Sequence, residues 1–310
     1  MTTPAATTSA APRMTGLDWL CVITLSALWG GSFFFVKVAV TAVPPLTLVL
    51  LRVALAALAL HAVLRIVGLR IPVDRRAWLD YAGMGILNNL IPFALIFYGQ
   101  AAIGIGLAAV INGLTPFWTA LIARAAGTER LSAAKLAGVA IGFGGLAVMV
   151  GPAAMAGLDA SLLAQLAIVG ATISYGCSGV FGRRFRAQPP LVTATGQLTA
   201  SSAMMLPLAL LVDRPWTLVV PGGEVIAAVV GLALVSTALA YILFFRVLAS
   251  AGATNVSLVT LLVPVSAMLL GVLVLGETVT ERQLLGLTMI ATGLVFIDGR
   301  LLARLRPAPG

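Results

Sequence analysis

Ten apolar runs follow one another along the 310-residue chain, each about 16 to 25 residues long and separated by short connections. They start near Leu17, Leu46, Trp78, Ala101, Lys135, Leu163, Leu191, Val225, Ala253 and Gln283. They end near Val38, Val67, Tyr98, Ala125, Val150, Phe181, Val212, Leu248, Leu275 and Leu301. A helix rising 1.5 Å per residue needs about 20 apolar residues to cross ~30 Å of hydrocarbon, so the pattern predicts ten transmembrane helices. Val43-Pro44-Pro45, Gln188-Pro189-Pro190 and Pro221-Gly222-Gly223 punctuate it where helices have to stop. Composition agrees, with 60% hydrophobic and 9% charged residues against roughly 25% charge in soluble domains. So little charge cannot cover a water-facing surface. The two cysteines, Cys21 and Cys177, both lie inside apolar runs; a disulfide-stapled fold is excluded and buried, reduced thiols are expected. Residues 1–16, rich in Thr, Ala and Pro, read as a disordered tail. Val40-Thr41-Ala42 could pass for a signal-peptide cleavage site, but the preceding run is too long and nine more follow it.

The net charge of +9 is informative through its placement. With the N-terminus inside, fifteen of the nineteen Lys and Arg fall on the cytoplasmic side: Arg13, Arg65, Arg70, Arg75, Arg76, Arg124, Arg130, Lys135, Arg183, Arg184, Arg186, Arg246, Arg300, Arg304 and Arg306. Lys37, Arg214 and Arg282 fall outside, and Arg52 lies within the second span. This bias predicts both termini in the cytoplasm and accounts for the basic character without nucleic acid.

The chain also matches itself. Residues 97–146 align without a gap to those 148 positions later: Phe97 with Phe245, Gly104 with Gly252, Pro116 with Pro264, Glu129 with Glu277, Gly138 with Gly286, Gly145 with Gly293. At an offset of 146, Trp29-Gly30-x-Ser32 matches Tyr175-Gly176-x-Ser178 and Lys37 matches Arg183. Two repeats are therefore expected, residues 17–150 and 163–302, joined by a periplasmic connector at 151–162 and followed by a cytoplasmic tail at 303–310. Five spans per repeat is an odd number, so the second repeat enters the membrane from the opposite side. The fold class expected is an all-α integral membrane protein, ten helices as two inverted five-helix repeats around a central cavity, which is what alternating access requires.

The run Ala27-Leu28-Trp29-Gly30-Gly31-Ser32-Phe33-Phe34-Phe35-Val36-Lys37, the intramembrane Arg52, and the spacing of Gly276, Glu277, Gly286 and Gly293 resemble the EamA-type drug/metabolite transporter family. The resemblance covers both repeats, about 280 residues, and departs only where Thr128-Glu129 replaces the Gly-Glu of the second repeat. It implies a ten-helix exporter in a bacterial inner membrane, nearest to the amino-acid exporters of the family.

In a repeat transporter the substrate site lies near the bilayer midplane between the halves. The polar and aromatic residues at mid-span come in pairs, Asn88 with Ser236, Asn89 with Thr237, Asn112 with Thr260 and Trp29 with Tyr175. Asn in hydrocarbon is too costly to face lipid, so each amide either bonds a neighbouring helix or lines a cavity. The expected substrate-binding set is Trp29, Asn88, Asn89, Tyr98, Asn112, Tyr175, Ser178, Thr237, Tyr241 and Thr260. Pro116 and Pro264 each delete a mid-helix hydrogen bond and are expected as hinges or static bends. Arg52, about six residues into its span, either snorkels to the outer interface, attracts a substrate carboxylate or serves as a structural partner to a cluster of carbonyls.

No Asp or Glu lies mid-span, although a proton-coupled cation exporter normally needs a buried carboxylate. Glu129 and Glu277 precede the fifth and tenth helices and read as acids favoured near helix N-termini, with Thr280-x-x-Gln283 as a capping box. Gly176-Cys177-Ser178-Gly179 matches an intramembrane serine-protease motif, but the single histidine, His61, sits at another depth, so no base is available and no enzyme is expected. One His and two distant Cys make no metal site, and no nucleotide-binding motif occurs; no cofactor is expected. The predicted function is export of amino acids, aromatic and other neutral ones, and of similar zwitterionic metabolites, by a monomeric facilitator or exchanger in the lipid bilayer. The alternatives are a proton-coupled multidrug or nucleoside exporter, a lipid flippase and a non-transporting scaffold.

Overall fold

The structure is a computed structural model that describes residues 14–129, 131–156, 159–256 and 258–298. Most of both expected tails, with Arg13, Arg130, Arg300, Arg304 and Arg306, lies outside the described residues. Every regular element among the described residues is helical. In chain order they are α1 (Gly16–Ala39), α2 (Pro45–Ile66), α3 (Arg75–Ala102), α4 (Ile105–Ala125), α5 (Ala133–Ala156), α6 (Ala160–Phe181), α7 (Pro190–Asp213), α8 (Gly223–Ala251), α9 (Leu258–Leu275) and α10 (Glu281–Asp298). A single helical turn, Ala253–Val256, precedes α9. Nine of these helices are long and apolar enough to cross a membrane; α10 has 18 residues and carries Glu281, Arg282 and Asp298 at its ends. The fifth helix runs past Val150 through Gly151 and Pro152 to Ala156, into the expected connector.

Local chemistry sets the helix starts. Thr15 and Asp18 form a capping box, Asp18 N donating to Thr15 Oγ1 at 3.2 Å and Thr15 N to the Asp18 carboxylate at 2.9 Å. Asp74 and Asp159 cap α3 and α6 through Ala77 N and Leu162 N. Pro45 and Pro190 open α2 and α7 at a position where a missing N–H costs nothing.

The main helix pairings are α1 with α9, α3 with α6, α2 with α7, and α5 with α10. Exchanging the two halves of the chain turns α1–α9 into α6–α4 and α3–α6 into α8–α1, and both of those contacts are present. The tightest pair, α5 with α10, is built on glycine. A Cβ on Gly138 would lie 2.6 Å from the Gly293 carbonyl oxygen, and one on Gly145 would lie 2.8 Å from that of Gly286. As one helix advances from 138 to 145 the other recedes from 293 to 286, so the pair is antiparallel. Adding 148 residues carries each contact into the other.

These contacts are backbone against backbone, with no flexible side-chain end to yield. Gly138→Ala and Gly145→Ala are each expected to lower stability by about 1–3 kcal/mol through forced separation of the helices. Gly31→Ala is the control, because the nearest atom to its Cβ would be Leu270 Cδ1 at 3.9 Å. Thermal unfolding of the purified protein in detergent should separate the first two from the third, and equal melting points would refute the packing argument.

Candidate functional site

Two helices widen at the same place in the repeat. α3 is π-helical over Ile86–Leu90 and α8 over Gly231–Leu239, segments that overlap when 148 is added to the first. Each wide turn carries one polar pair, Asn88 and Asn89 in α3 and Ser236 and Thr237 in α8. A π turn leaves backbone groups out of the regular ladder and is found mostly at functional positions.

Asn88 is the centre of a polar network across the halves. Its Nδ2 donates to the Tyr241 hydroxyl at 3.1 Å and lies 3.4 Å from Gln197 Oε1. Gln197 Nε2 donates to the same hydroxyl at 3.3 Å. Ser178 Oγ donates to the Tyr175 carbonyl at 2.8 Å and sits 3.2 Å from Asn88 Oδ1. The network thus joins α3 of the first half to α6, α7 and α8 of the second. A row of rings leads away from the network: Tyr241 stacks on Phe245 with centroids 5.9 Å apart, Phe245 meets Phe244 edge-on at 5.3 Å, and Phe244 packs on Trp29 at 5.6 Å.

Arg52 does not snorkel. It is 7% exposed, and its Nε donates to Thr237 Oγ1 at 2.9 Å. The Thr237 hydroxyl in turn donates to the Leu232 carbonyl, five residues back across the π turn, at 2.8 Å. The guanidinium lies 3.8 Å above the Phe93 ring centroid and 5.9 Å from that of Phe97. A lone pair aimed by the wide turn and an aromatic face draw the side chain inward rather than up its own helix.

Of the residues expected to bind substrate, Asn88, Ser178 and Tyr241 meet in one hydrogen-bonded network, the Tyr175 backbone joins it, Thr237 holds Arg52, and Trp29 stands at the end of the row of rings. Others do not join. Asn89, the next residue around the wide turn, is fully buried and donates to Ser201 Oγ at 2.9 Å, a bond between α3 and α7. Tyr98 is 48% exposed near the end of α3, as suits a ring that is apolar with a wet hydroxyl. Asn112 ends the first segment of α4 with its Oδ1 buried and unpartnered, and Thr260 on α9 has no hydrogen bond to the network. The two prolines are also unlike. Pro116 starts a new helical segment after a break at Gly113-Leu114, whereas Pro264 sits inside a continuous α9. Leu261 stands where the first half has Gly113, so only the first half has a glycine at the break. Gln197 lies mid-span but has Val49 at the position 148 residues earlier, so pairing between the halves passes over it. Cys21 is buried but Cys177 only partly so, and both are free.

The end of the bundle opposite the start of α1, here the far end, is tied together across helices. Lys37 Nζ donates to the carbonyls of Gln100 and Ile103 at 2.9 and 3.0 Å, and Gln100 Nε2 donates to the Phe33 carbonyl at 2.9 Å. α2 and α4 lack side-chain caps of their own, and acids from the second half supply them. Asp213 accepts from Thr47 N at 2.6 Å, and Glu277 accepts from Ile105 N at 2.8 Å and Gly106 N at 3.2 Å. Glu277 therefore caps α4 rather than the helix that follows it, while Thr280 and Gln283 form the expected box on α10. At the near end the repeat counterparts are engaged differently: Arg183 donates to the Thr128 carbonyl, and Glu129 pairs with Lys135 in the first turn of α5. Two clefts of about 390 and 430 Å³ lie at the far end. Glu277, Thr280 and Gln283 in their walls already bond backbone or one another, so these groups offer a ligand little.

Residues 17–151 and 162–298 each match the profile of the EamA-like transporter family. A "Probable amino-acid metabolite efflux pump" of Salmonella typhimurium is 26% identical over 297 residues, covering 91% of this chain and 94% of that protein. The "Uncharacterized transporter YoaV" of Bacillus subtilis is 24% identical over 89% of this chain and 94% of its own length. The "Uncharacterized inner membrane transporter YedA" of Escherichia coli K12 is 25% identical, covering 89% of each. A solved crystal structure superposes with a TM-score of 0.68 at 22% identity, over 94% of this chain and all of that one, which shows a shared fold.

Proposed function

The chain belongs to the EamA-like transporter family, and from that premise we propose that it exports neutral amino acids and similar small zwitterionic metabolites by alternating access, as a facilitator or exchanger. The observation that carries this reading is the network of Asn88, Ser178, Gln197 and Tyr241, which is uncharged, spans both halves and leads through Phe245 to the Trp29–Phe244 aromatic pair. Amides and hydroxyls can bond either charged end of a zwitterion, and aromatic faces suit an apolar side chain. Among the described residues no Asp or Glu lies in the middle of a helix, which counts against a cation contested by protons. The printed description of the Salmonella relative adds support for amino-acid metabolites as cargo.

Alternating access draws support from the exchangeable helix pairings and from the unlike ends. An antiparallel α5–α10 contact that maps onto itself under the 148-residue shift is what an inverted repeat would give. The excess of Lys and Arg at the near end supports a cytoplasmic position for it, and with that orientation the far end, closed by Lys37, Asp213 and Glu277, is the periplasmic gate. The test is counterflow in proteoliposomes with labelled neutral amino acids, a nucleoside and a cationic dye, with and without a pH gradient. Amino-acid accumulation indifferent to the gradient is expected. Accumulation of the dye or nucleoside alone, or strict dependence on the gradient, would replace this reading with a proton-coupled drug exporter.

A further inference from the structure

Arg52 carries a positive charge into the bundle and no acid answers it. The ion pairs among the described residues are Lys135 with Glu129 and Arg184 with Asp80, both at the near end. One neutral hydrogen bond and an aromatic face occupy Nε and one side of the guanidinium. Among the described residues neither terminal nitrogen has a hydrogen-bond partner, which leaves the forked donors of the group unused. A buried cation this poorly compensated is expensive in a membrane interior and marks a functional position.

The groups around it are donors as well. The Tyr241 oxygen accepts from both Asn88 Nδ2 and Gln197 Nε2, so its own O–H is left to donate. The Tyr175 hydroxyl has no hydrogen-bond partner among the described residues. Tyr241 lies four residues beyond Thr237, the residue that holds Arg52, on α8, and Ser178 ties Tyr175 to Asn88, which donates to the Tyr241 hydroxyl. One guanidinium and two phenolic hydroxyls, with no anion among them, make a site short of one negative charge. A carboxylate supplies that charge on two oxygens that suit a planar fork. A dianionic phosphate would bring a second charge with no second cation to meet it, since Lys37 is held by two backbone carbonyls. An amine would add donors to donors, and an amide offers one uncharged acceptor oxygen where a carboxylate offers two that share a charge.

We propose that Arg52, with the Tyr175 and Tyr241 hydroxyls, binds the carboxylate of the transported substrate and so selects acids over their amides. Asn88 and Gln197 are positioning residues for the Tyr241 hydroxyl. This assignment rests on the transport reading and narrows it to carboxylate-bearing cargo.

The test uses the purified full chain with three matched probes: phenylalanine, phenylalanine amide, and 3-phenylpropionate, which keeps the carboxylate and lacks the amine. Binding is read by thermal stabilisation and transport by counterflow, for wild type, Arg52→Lys, Arg52→Gln and Tyr175→Phe. Wild type should prefer each acid over the amide by about tenfold or more, as expected for a charge-assisted bidentate contact. Arg52→Gln should erase the preference, and Arg52→Lys and Tyr175→Phe should reduce it severalfold without weakening the amide. Tyr175→Phe strands no protein group and Arg52→Lys keeps the charge, so the outcome is decided even if Arg52→Gln does not fold. Equal binding of acid and amide by wild type, or a preference unchanged in Arg52→Lys and Tyr175→Phe, overturns the proposal while leaving amino-acid export standing. Arg52-dependent binding of phenylpropionate without phenylalanine upholds the proposal and removes amino acids as cargo. Binding of no carboxylate at all overturns both.

Discussion

Asn88→Leu is expected to lower counterflow by about 100-fold while the bundle stays folded, and the same change at the next residue is expected to do almost nothing. The first effect follows from the loss of two buried hydrogen-bonding groups at the centre of the network. At about 1–2 kcal/mol each that is about 3 kcal/mol, or two powers of ten. The fold should tolerate it, because Ser178 still donates to the Tyr175 carbonyl and Tyr241 still receives Gln197. Asn89 differs although it is adjacent and more deeply buried. Its Nδ2 bonds Ser201, its Oδ1 is already unpartnered, and Ser201 also donates to the Gln197 carbonyl. Asn89→Leu therefore strands no donor and removes one unsatisfied oxygen. Transport per folded molecule and melting temperature, measured on both variants, test the pair. Equal losses at the two positions would mean that Asn88 is one more interhelical bond.

Glu277→Ala is expected to open the far end. The first turn of α4 begins at Gly104, which has no side chain to cap it, so the Ile105 and Gly106 amides depend on a carboxylate from the α9–α10 loop. The backbone builds that reach. Gly276 has φ 67°, a left-handed turn that glycine adopts without strain, and Glu277 N bonds back to the Gly271 carbonyl at 2.9 Å. Any Cβ on Gly104 or Gly271 would collide with the carboxylate, at 2.9 and 2.7 Å. Charge-assisted bonds at a helix N-terminus are worth enough that about 2–3 kcal/mol of the closed state should be lost, shifting the open fraction by about 30- to 150-fold. Replacing Ser178 with cysteine, in a chain whose Cys21 and Cys177 are changed to alanine, supplies the reporter. An impermeant maleimide added on the side of the far end should label it at least tenfold faster in Glu277→Ala. Unchanged labelling would show that the contact caps a helix and gates nothing.

The spans were legible because their length is a property of composition alone, and the repeat because Pro and Glu are rare enough in this chain for coincidence in register to carry weight. The polar pairs were legible for the same reason. Their division of labour was not. Asn88 and Asn89 look alike as letters, and only the wide turn between Ile86 and Leu90 decides which faces the network and which faces α7. A π turn has no periodic signature in a run that is apolar on all sides. Arg52 illustrates a second limit. Its position in the span suggested escape to the interface, whereas its fate depends on Thr237 and Phe93, far away in sequence. The place of Glu277 just before α10 makes a local cap the nearest explanation, whereas the contact it makes spans 172 residues. The unlike prolines trace to Gly113 against Leu261, a difference that only mattered once one helix was seen to break.

The most direct test of the claim that the network is the substrate site is equilibrium binding of a labelled neutral amino acid to purified wild type, Asn88→Leu and Asn89→Leu. Saturable binding by wild type and Asn89→Leu, weakened about 100-fold in Asn88→Leu, is the predicted result. Binding of equal strength in all three folded proteins would contradict the account.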